Sequence, residues 1–109
     1  MLIVQKITNS ISVAVGCVSL KKFENGIGEV RRMYVKPEER GNKLGLKLMI
    51  ELIKQAKVYG YEKLYLDSLK KFNHAHALYE DLGFSYISAY DSATTQDMKD
   101  NMIFMEMNL

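Results

Sequence analysis

At 109 residues the chain has room for one domain with a real core and for no second one. Apolar residues make up 48% and charged residues 26%, with one Pro and seven Gly, which excludes a disordered chain, a collagen-like repeat and a linker array. Lys and Arg number 15 against 13 Asp and Glu, so the formal charge is only +2, and no basic stripe of the kind a nucleic-acid binder carries stands out.

The single cysteine, Cys17, has no internal disulfide partner, and nothing argues for an oxidising compartment. Val15-Gly16-Cys17 faintly resembles a lipoprotein cleavage site, but Lys6, Thr8, Asn9, Ser10 and Ser12 interrupt the apolar stretch such a signal requires. Cys17 is therefore read as a small core residue. No apolar run approaches the roughly 20 residues a membrane helix needs. The expectation is a cytoplasmic protein with neither a membrane nor a nucleic acid as partner.

In chain order, residues 1–7 are apolar and β-branched and read as a strand that ends at Thr8-Asn9-Ser10. Residues 11–23 read as a second strand and residues 27–35 as a third, with Asn25-Gly26 between them as a hairpin signal. Pro37 ends this antiparallel meander. From Lys43 the period becomes helical: Leu44, Leu48 and Leu52, flanked by Gly45, Met49, Ile53 and Ala56, form one face. Lys43, Lys47, Glu51, Lys54 and Lys57 form the outer face, and Gly60 ends the helix. Residues 61–69 are a strand with Leu64 and Leu66 inward. Asn73 reads as the N-cap of a short helix striped by Ala75, Leu78, Tyr79 and Leu82 and closed by Gly83, with Phe84 packing back. A strand over 85–90, a polar loop over 91–101 and a strand over 102–109 follow, the last with Ile103, Met105, Met107 and Leu109 on one face. The order β-β-β-α-β-α-β-β predicts an α/β (α+β) fold, a mixed and mostly antiparallel sheet with two helices packed on it.

The chemistry is expected at the strand–loop–helix junction, residues 30–48. A helix N-terminus presents unpaired N–H groups and the positive end of its dipole. Arg40, Gly41 and Gly45 there suit an anion such as a pyrophosphate, or equally an ordinary glycine-containing turn. Two nucleotide motifs are excluded. Gly41 and Gly45 enclose three residues and are followed by Leu46-Lys47-Leu48, so this is no P-loop. Gly26-Ile27-Gly28 lies in a hairpin, so it is no dinucleotide fingerprint.

The run Glu29-Val30-Arg31-Arg32-Met33-Tyr34-Val35-Lys36-Pro37-Glu38-Glu39-Arg40-Gly41-Asn42-Lys43-Leu44-Gly45 resembles the acetyl-CoA motif of the GNAT superfamily of acyltransferases. The resemblance continues through Leu66-Asp67-Ser68, through Ala75 and Leu78-Tyr79-Glu80-Asp81-Leu82-Gly83-Phe84, and into Phe104-Met105-Glu106-Met107-Asn108-Leu109. Val15-Gly16-Cys17-Val18-Ser19-Leu20 fits as well, so nearly the whole chain is covered. Two departures stand out. Lys43 replaces the first glycine of the motif, a substitution compatible with N–H donation if the loop stays in right-handed space. The chain also begins at what resembles the family's second strand, without the strand and two helices that usually precede it.

The resemblance implies that Met33, Tyr34 and Val35 lie along the pantetheine arm of acetyl-CoA, and that Arg40, Gly41, Asn42, Lys43, Leu44 and Gly45 bind its pyrophosphate. It implies Tyr79 as the acid for the departing thiolate and Glu29 as the base for the acceptor amine. Read without the family, Tyr79 is an aromatic in a helix stripe, and Glu29 is solvated or paired across the strands with Lys21 or Lys22. His74 and His76 are two apart on a helix and point to different sides, reading as a polar first turn, and the seven Met read as core filler, so no metal site is expected. The leading function is N-acetyl transfer from acetyl-CoA to a small-molecule amine. The alternatives are a non-catalytic remnant that keeps the fold and binds CoA, and a protein-interaction module. Without the preceding elements a sheet face or edge is left bare, so a homodimer or higher oligomer is expected.

Overall fold

The computed structural model describes residues 2–8, 11–39, 43–90 and 101–109. Six strands and two helices follow one another as β1 (Leu2–Thr8), β2 (Ile11–Glu24), β3 (Ile27–Val35), α1 (Leu44–Val58), β4 (Lys63–Leu69), α2 (Asn73–Leu82), β5 (Ser85–Ile87) and β6 (Met102–Asn108), with a 3-10 turn over Pro37–Glu39. The sheet order is β1-β2-β3-β4-β6-β5. Every neighbouring pair is antiparallel except β3 and β4, which the α1 crossover forces to run parallel. The expected order of elements and the mixed sheet are therefore both present.

The meander forms for the reasons its sequence carries. In the Asn25-Gly26 turn only Gly26 has a positive φ, 78°, so the turn is not the paired left-handed type the dipeptide favours, and a register shift between Lys22 and Glu24 absorbs the difference. The Gly26 carbonyl then accepts from the N–H groups of Glu62 and Lys63, at 2.7 and 3.1 Å, which ties the hairpin to the start of β4.

Both helices pack on one face of the sheet. Leu48, Met49, Leu52 and Ala56 of α1, with Tyr79 of α2, bury themselves against Val18, Val30, Leu64, Leu66 and Met105. Each fully buried Leu or Met contributes about 1.5–3 kcal/mol. The lysine face of α1 is exposed as its spacing predicts. Gly28 points into this core where a Cβ would lie 2.8 Å from Leu20 and 3.3 Å from Leu64, so the sheet closes on the absence of a side chain there.

Four expectations need correction. Asn73 is the first helical residue of α2, not its N-cap; Phe72 occupies that position and offers no capping side chain. β5 ends at Ile87 rather than at residue 90, because its ladder with β6 stops at Ile87↔Phe104 and the chain then leaves the sheet edge. Cys17 is half-buried rather than in the core, since Val18 takes the inward position beside it. His76 is no part of a polar first turn: it is 7% exposed, and its Nε2 lies 3.1 Å from Ser68 Oγ on β4. The left-handed cap at Gly83 (φ 108°) and the return of Phe84 onto Tyr79, with ring centroids 5.9 Å apart, follow the sequence as read. The expected polar loop over 91–101 lies almost wholly outside the described residues.

Candidate active site

β3 and β4 stay paired for only three rungs, Ile27↔Lys63, Gly28↔Leu64 and Glu29↔Tyr65, although the strands run on to Val35 and Leu69. Beyond that last rung they part. A bulge assists the parting: Cys17 pairs with Tyr34 but Ser19 with Arg31, so β3 fits Arg32 and Met33 opposite Val18 alone. The bulge turns Met33 toward the helices, where its Cε lies 3.1 Å from the point a Cβ on Gly45 would occupy, with Leu78 at 3.5 Å. The start of α1, the end of β3 and the inner side of α2 thus meet at the wedge. Tyr34 beside Met33 is exposed and Val35 is half-buried.

The N-terminus of α1 presents its backbone without competition from side chains. Its N-cap is Lys43, which makes no side-chain cap, and no acidic residue stands in the first turn. Lys43 has φ 61° and ψ 25°, so the junction does pass through left-handed space. The motif's glycine has been replaced at a position whose backbone still has the shape that favours glycine. Leu44 and Gly45 open the helix, while Arg40, Gly41 and Asn42 lie outside the described residues.

The two candidate acid–base groups lie on opposite faces of the sheet. Tyr79, 5% exposed, is in the helix-side core, and burial pushes its phenol above the ordinary value. At neutral pH it is a fully protonated donor. Glu29 alternates with the inward Gly28 and Val30 and so points to the far face. Its carboxylate is buried, and Oε1 accepts from Arg31 Nη1 at 2.9 Å; this partner, two residues along the same strand, replaces the expected Lys21 or Lys22. The Glu29 charge raises the Arg31 pKa further, chiefly through that hydrogen bond. Arg31 leaves Oε2 of Glu29 unengaged, and the Tyr90 hydroxyl lies against the same carboxylate; burial, and then that carboxylate, help hold the phenol above its ordinary value. The sheet separates Glu29 from Tyr79, and the opening between β3 and β4 joins their two sides.

The far face carries residues to which the sequence reading gave no role. Tyr65, Glu29's neighbour on the last rung, stacks on Tyr90 at 4.6 Å between centroids. Tyr90 also meets the edges of Phe23 and Phe104, each at 5.2 Å. Period-2 alternation places Tyr65 and Phe104 opposite the inward residues 64, 66, 103 and 105, so their side was legible. Tyr90 follows irregular chain and left no such signal.

Against this geometry the comparisons are direct. Residues 4–84 match the acetyltransferase (GNAT) family. The chain is 40% identical over 78 residues, 71% of its length and 48% of the other's, to an uncharacterized N-acetyltransferase of Schizosaccharomyces pombe. It superposes with a TM-score of 0.80 and 30% identity on a Klebsiella pneumoniae protein provisionally described as an acyl-CoA N-acyltransferase, covering 94% of this chain and 68% of that one. The fold is shared as well with a Bacillus subtilis acetyltransferase solved in complex with CoA, at a TM-score of 0.74 and 19% identity over 89% of this chain and 70% of that one. The chain belongs to the GNAT acetyltransferase family. It spans about half or less of the length of the curated relatives it matches. No helix among the described residues is long and apolar enough to cross a membrane.

Proposed function

We propose that this chain is the catalytic core of an N-acetyltransferase that moves the acetyl group of acetyl-CoA to the amine of a small molecule. The observation that carries this reading is the parting of β3 and β4 after Glu29↔Tyr65, with the uncapped start of α1 at the wedge and one proton-transfer group on each side of the sheet. The residues present fit the cofactor. Lys43, Leu44 and Gly45 offer backbone N–H groups and a positive helix end to a pyrophosphate, joined by Arg40, Gly41 and Asn42. Met33, Tyr34 and Val35 line the β3 side along which a pantetheine arm would run.

When bound, the co-substrate supplies an activated acyl thioester. The amine nitrogen forms the new C–N bond to the acyl carbon as the C–S bond breaks. Glu29 takes the proton that the nitrogen must lose, at Oε2, the oxygen Arg31 leaves unengaged. Tyr79 delivers a proton to the departing sulfur.

A second reading has an observation of its own. Arg31 and Tyr90 close over Glu29, as they would in a chain that binds CoA and transfers nothing. Calorimetric titration with acetyl-CoA, followed by thiol release in the presence of amines, separates the two readings. The enzyme reading expects saturable binding, amine-dependent release, and a Tyr79→Phe variant that binds acetyl-CoA as before but turns over about 100-fold more slowly. Unchanged turnover in that variant would remove Tyr79 from the mechanism. Binding without release under any amine would establish the second reading.

A further inference from the structure

His76 and Ser68 form a buried pair that no step of the transfer uses. His76 lies on the inner face of α2, 7% exposed, with its Nε2 3.1 Å from Ser68 Oγ on β4. Ser68 follows the inward Leu64 and Leu66 at every second residue and so faces the helices as they do. A polar ring in an apolar interface is costly unless it is hydrogen-bonded, and Ser68 supplies the bond.

The surroundings give this bond a role. α2 has ten residues, a length at which a helix is marginal by itself; Phe72 makes no side-chain cap, and no acidic residue stands in the first turn. Apolar contacts hold a helix on a sheet without direction, whereas a hydrogen bond fixes its place along the strand. The strand beneath is held from one side. Past the Glu29↔Tyr65 rung, among the described residues, β4 keeps its ladder with β6, where Ser68 lies opposite Ile103, and no longer pairs with β3. Tyr79, the other buried residue of α2, stands three positions after His76 on the same face, about 4.5 Å further along the helix axis.

We propose that His76 is a positioning residue: through its hydrogen bond to Ser68 it sets the register of α2 over the free end of β4, and so the place of the Tyr79 hydroxyl at the wedge. Its consequence for turnover rests on the acetyl-transfer reading. A proton donor must come within hydrogen-bond reach of the departing sulfur, and a misplacement of about 1 Å costs on the order of 100-fold in rate.

The test compares His76→Leu, which removes the bond and keeps an apolar side chain, with His76→Gln, whose amide reaches Ser68 from the same position. Thiol release is followed with acetyl-CoA and an amine, and acetyl-CoA binding by calorimetry. His76→Leu is expected to lower kcat about tenfold with acetyl-CoA binding unchanged, and His76→Gln to recover most of the loss. In a Tyr79→Phe background the same His76→Leu change should cost less than about twofold, because the group it positions is gone. An unchanged kcat, an equal loss in both backgrounds, or a loss of acetyl-CoA binding overturns the proposal. A second readout needs no turnover. With tyrosine labelled at the ζ carbon, the Tyr79 resonance is assigned by its loss in Tyr79→Phe and its phenol titrated by NMR. Burial holds that phenol above its ordinary value. His76→Leu should bring the midpoint back toward about 10, and His76→Gln should keep it high. A midpoint that does not move in His76→Leu overturns the proposal. Should His76→Leu fold poorly, Ser68→Ala removes the same bond from the strand side and carries both comparisons. The two levels fail separately: a shifted midpoint without thiol release under any amine keeps the positioning of Tyr79 and ends the enzyme reading, whereas thiol release indifferent to His76 keeps the enzyme and ends the proposal.

Discussion

Lys43 shows how one side chain can oppose its own backbone. Left-handed φ costs a residue with a Cβ about 1–2 kcal/mol, and no cap made by the lysine side chain offsets it. Glycine relieves that strain but loses more freedom on folding, so Lys43→Gly is expected to stabilise the chain by a net of about 0.5–1 kcal/mol. Thermal unfolding would show a midpoint higher by a few degrees, and Lys43→Ala, which keeps a Cβ, should show no such rise. If Ala and Gly behave alike, the left-handed backbone at this position is not what costs the native chain its stability. The Glu29–Arg31 pair teaches a related lesson. Sequence offered Lys21 or Lys22 as the partner of Glu29, and only packing showed that Arg31, on its own strand and face, takes that place.

At the scale of elements, α1 meets β3 where Gly45 faces Met33. A Cβ there meets the end of a flexible Met33 side chain, which can give by a few tenths of an ångström. Gly45→Ala should therefore leave the melting temperature nearly unchanged. Gly45→Glu adds a negative charge at the positive end of α1 and is expected to abolish acetyl-CoA binding in a calorimetric titration. A Glu variant that binds like the native chain would move the pyrophosphate away from this junction. α2 carries a different signature. Burial raises the Tyr79 phenol above the roughly pH 10 value of an unfolded chain, so the folded state keeps a proton that the unfolded state has lost. Its contribution is complete below about pH 10 and declines as pH rises through the folded value. Urea midpoints followed from about pH 9 to about pH 11 should fall for the native chain and fall less for Tyr79→Phe. Tyr90, raised in the same direction, adds to the native slope.

For the whole molecule, both helices cover one face of a six-stranded sheet, and β1 stands at its edge with seven residues. A strand of that length at an edge is a template for pairing with another chain. Light scattering at micromolar concentration is therefore expected to give at least twice the monomer mass. A clean monomer would show that the edge is blunted without a partner.

The element order, the helix faces, the Gly83 cap and the family motif could be read from the chain because each depends on neighbours a few residues apart. Periodicity assigned Leu64, Leu66 and Met105 to the core, and alternation alone put Tyr65 and Phe104 on the other side. What the sequence could not decide involves residues distant in the chain. The end of β3–β4 pairing depends on a bulge opposite β2, and the burial of His76 depends on Ser68 across the α2–β4 contact. Tyr90 reaches Glu29 only because β5 stops early at the sheet edge and lets the chain turn onto the far face. Local backbone preference and side-chain period are properties of short windows of sequence. The wedge and the ring cluster of Phe23, Tyr65, Tyr90 and Phe104 arise where four strands meet, and only tertiary packing brings them together.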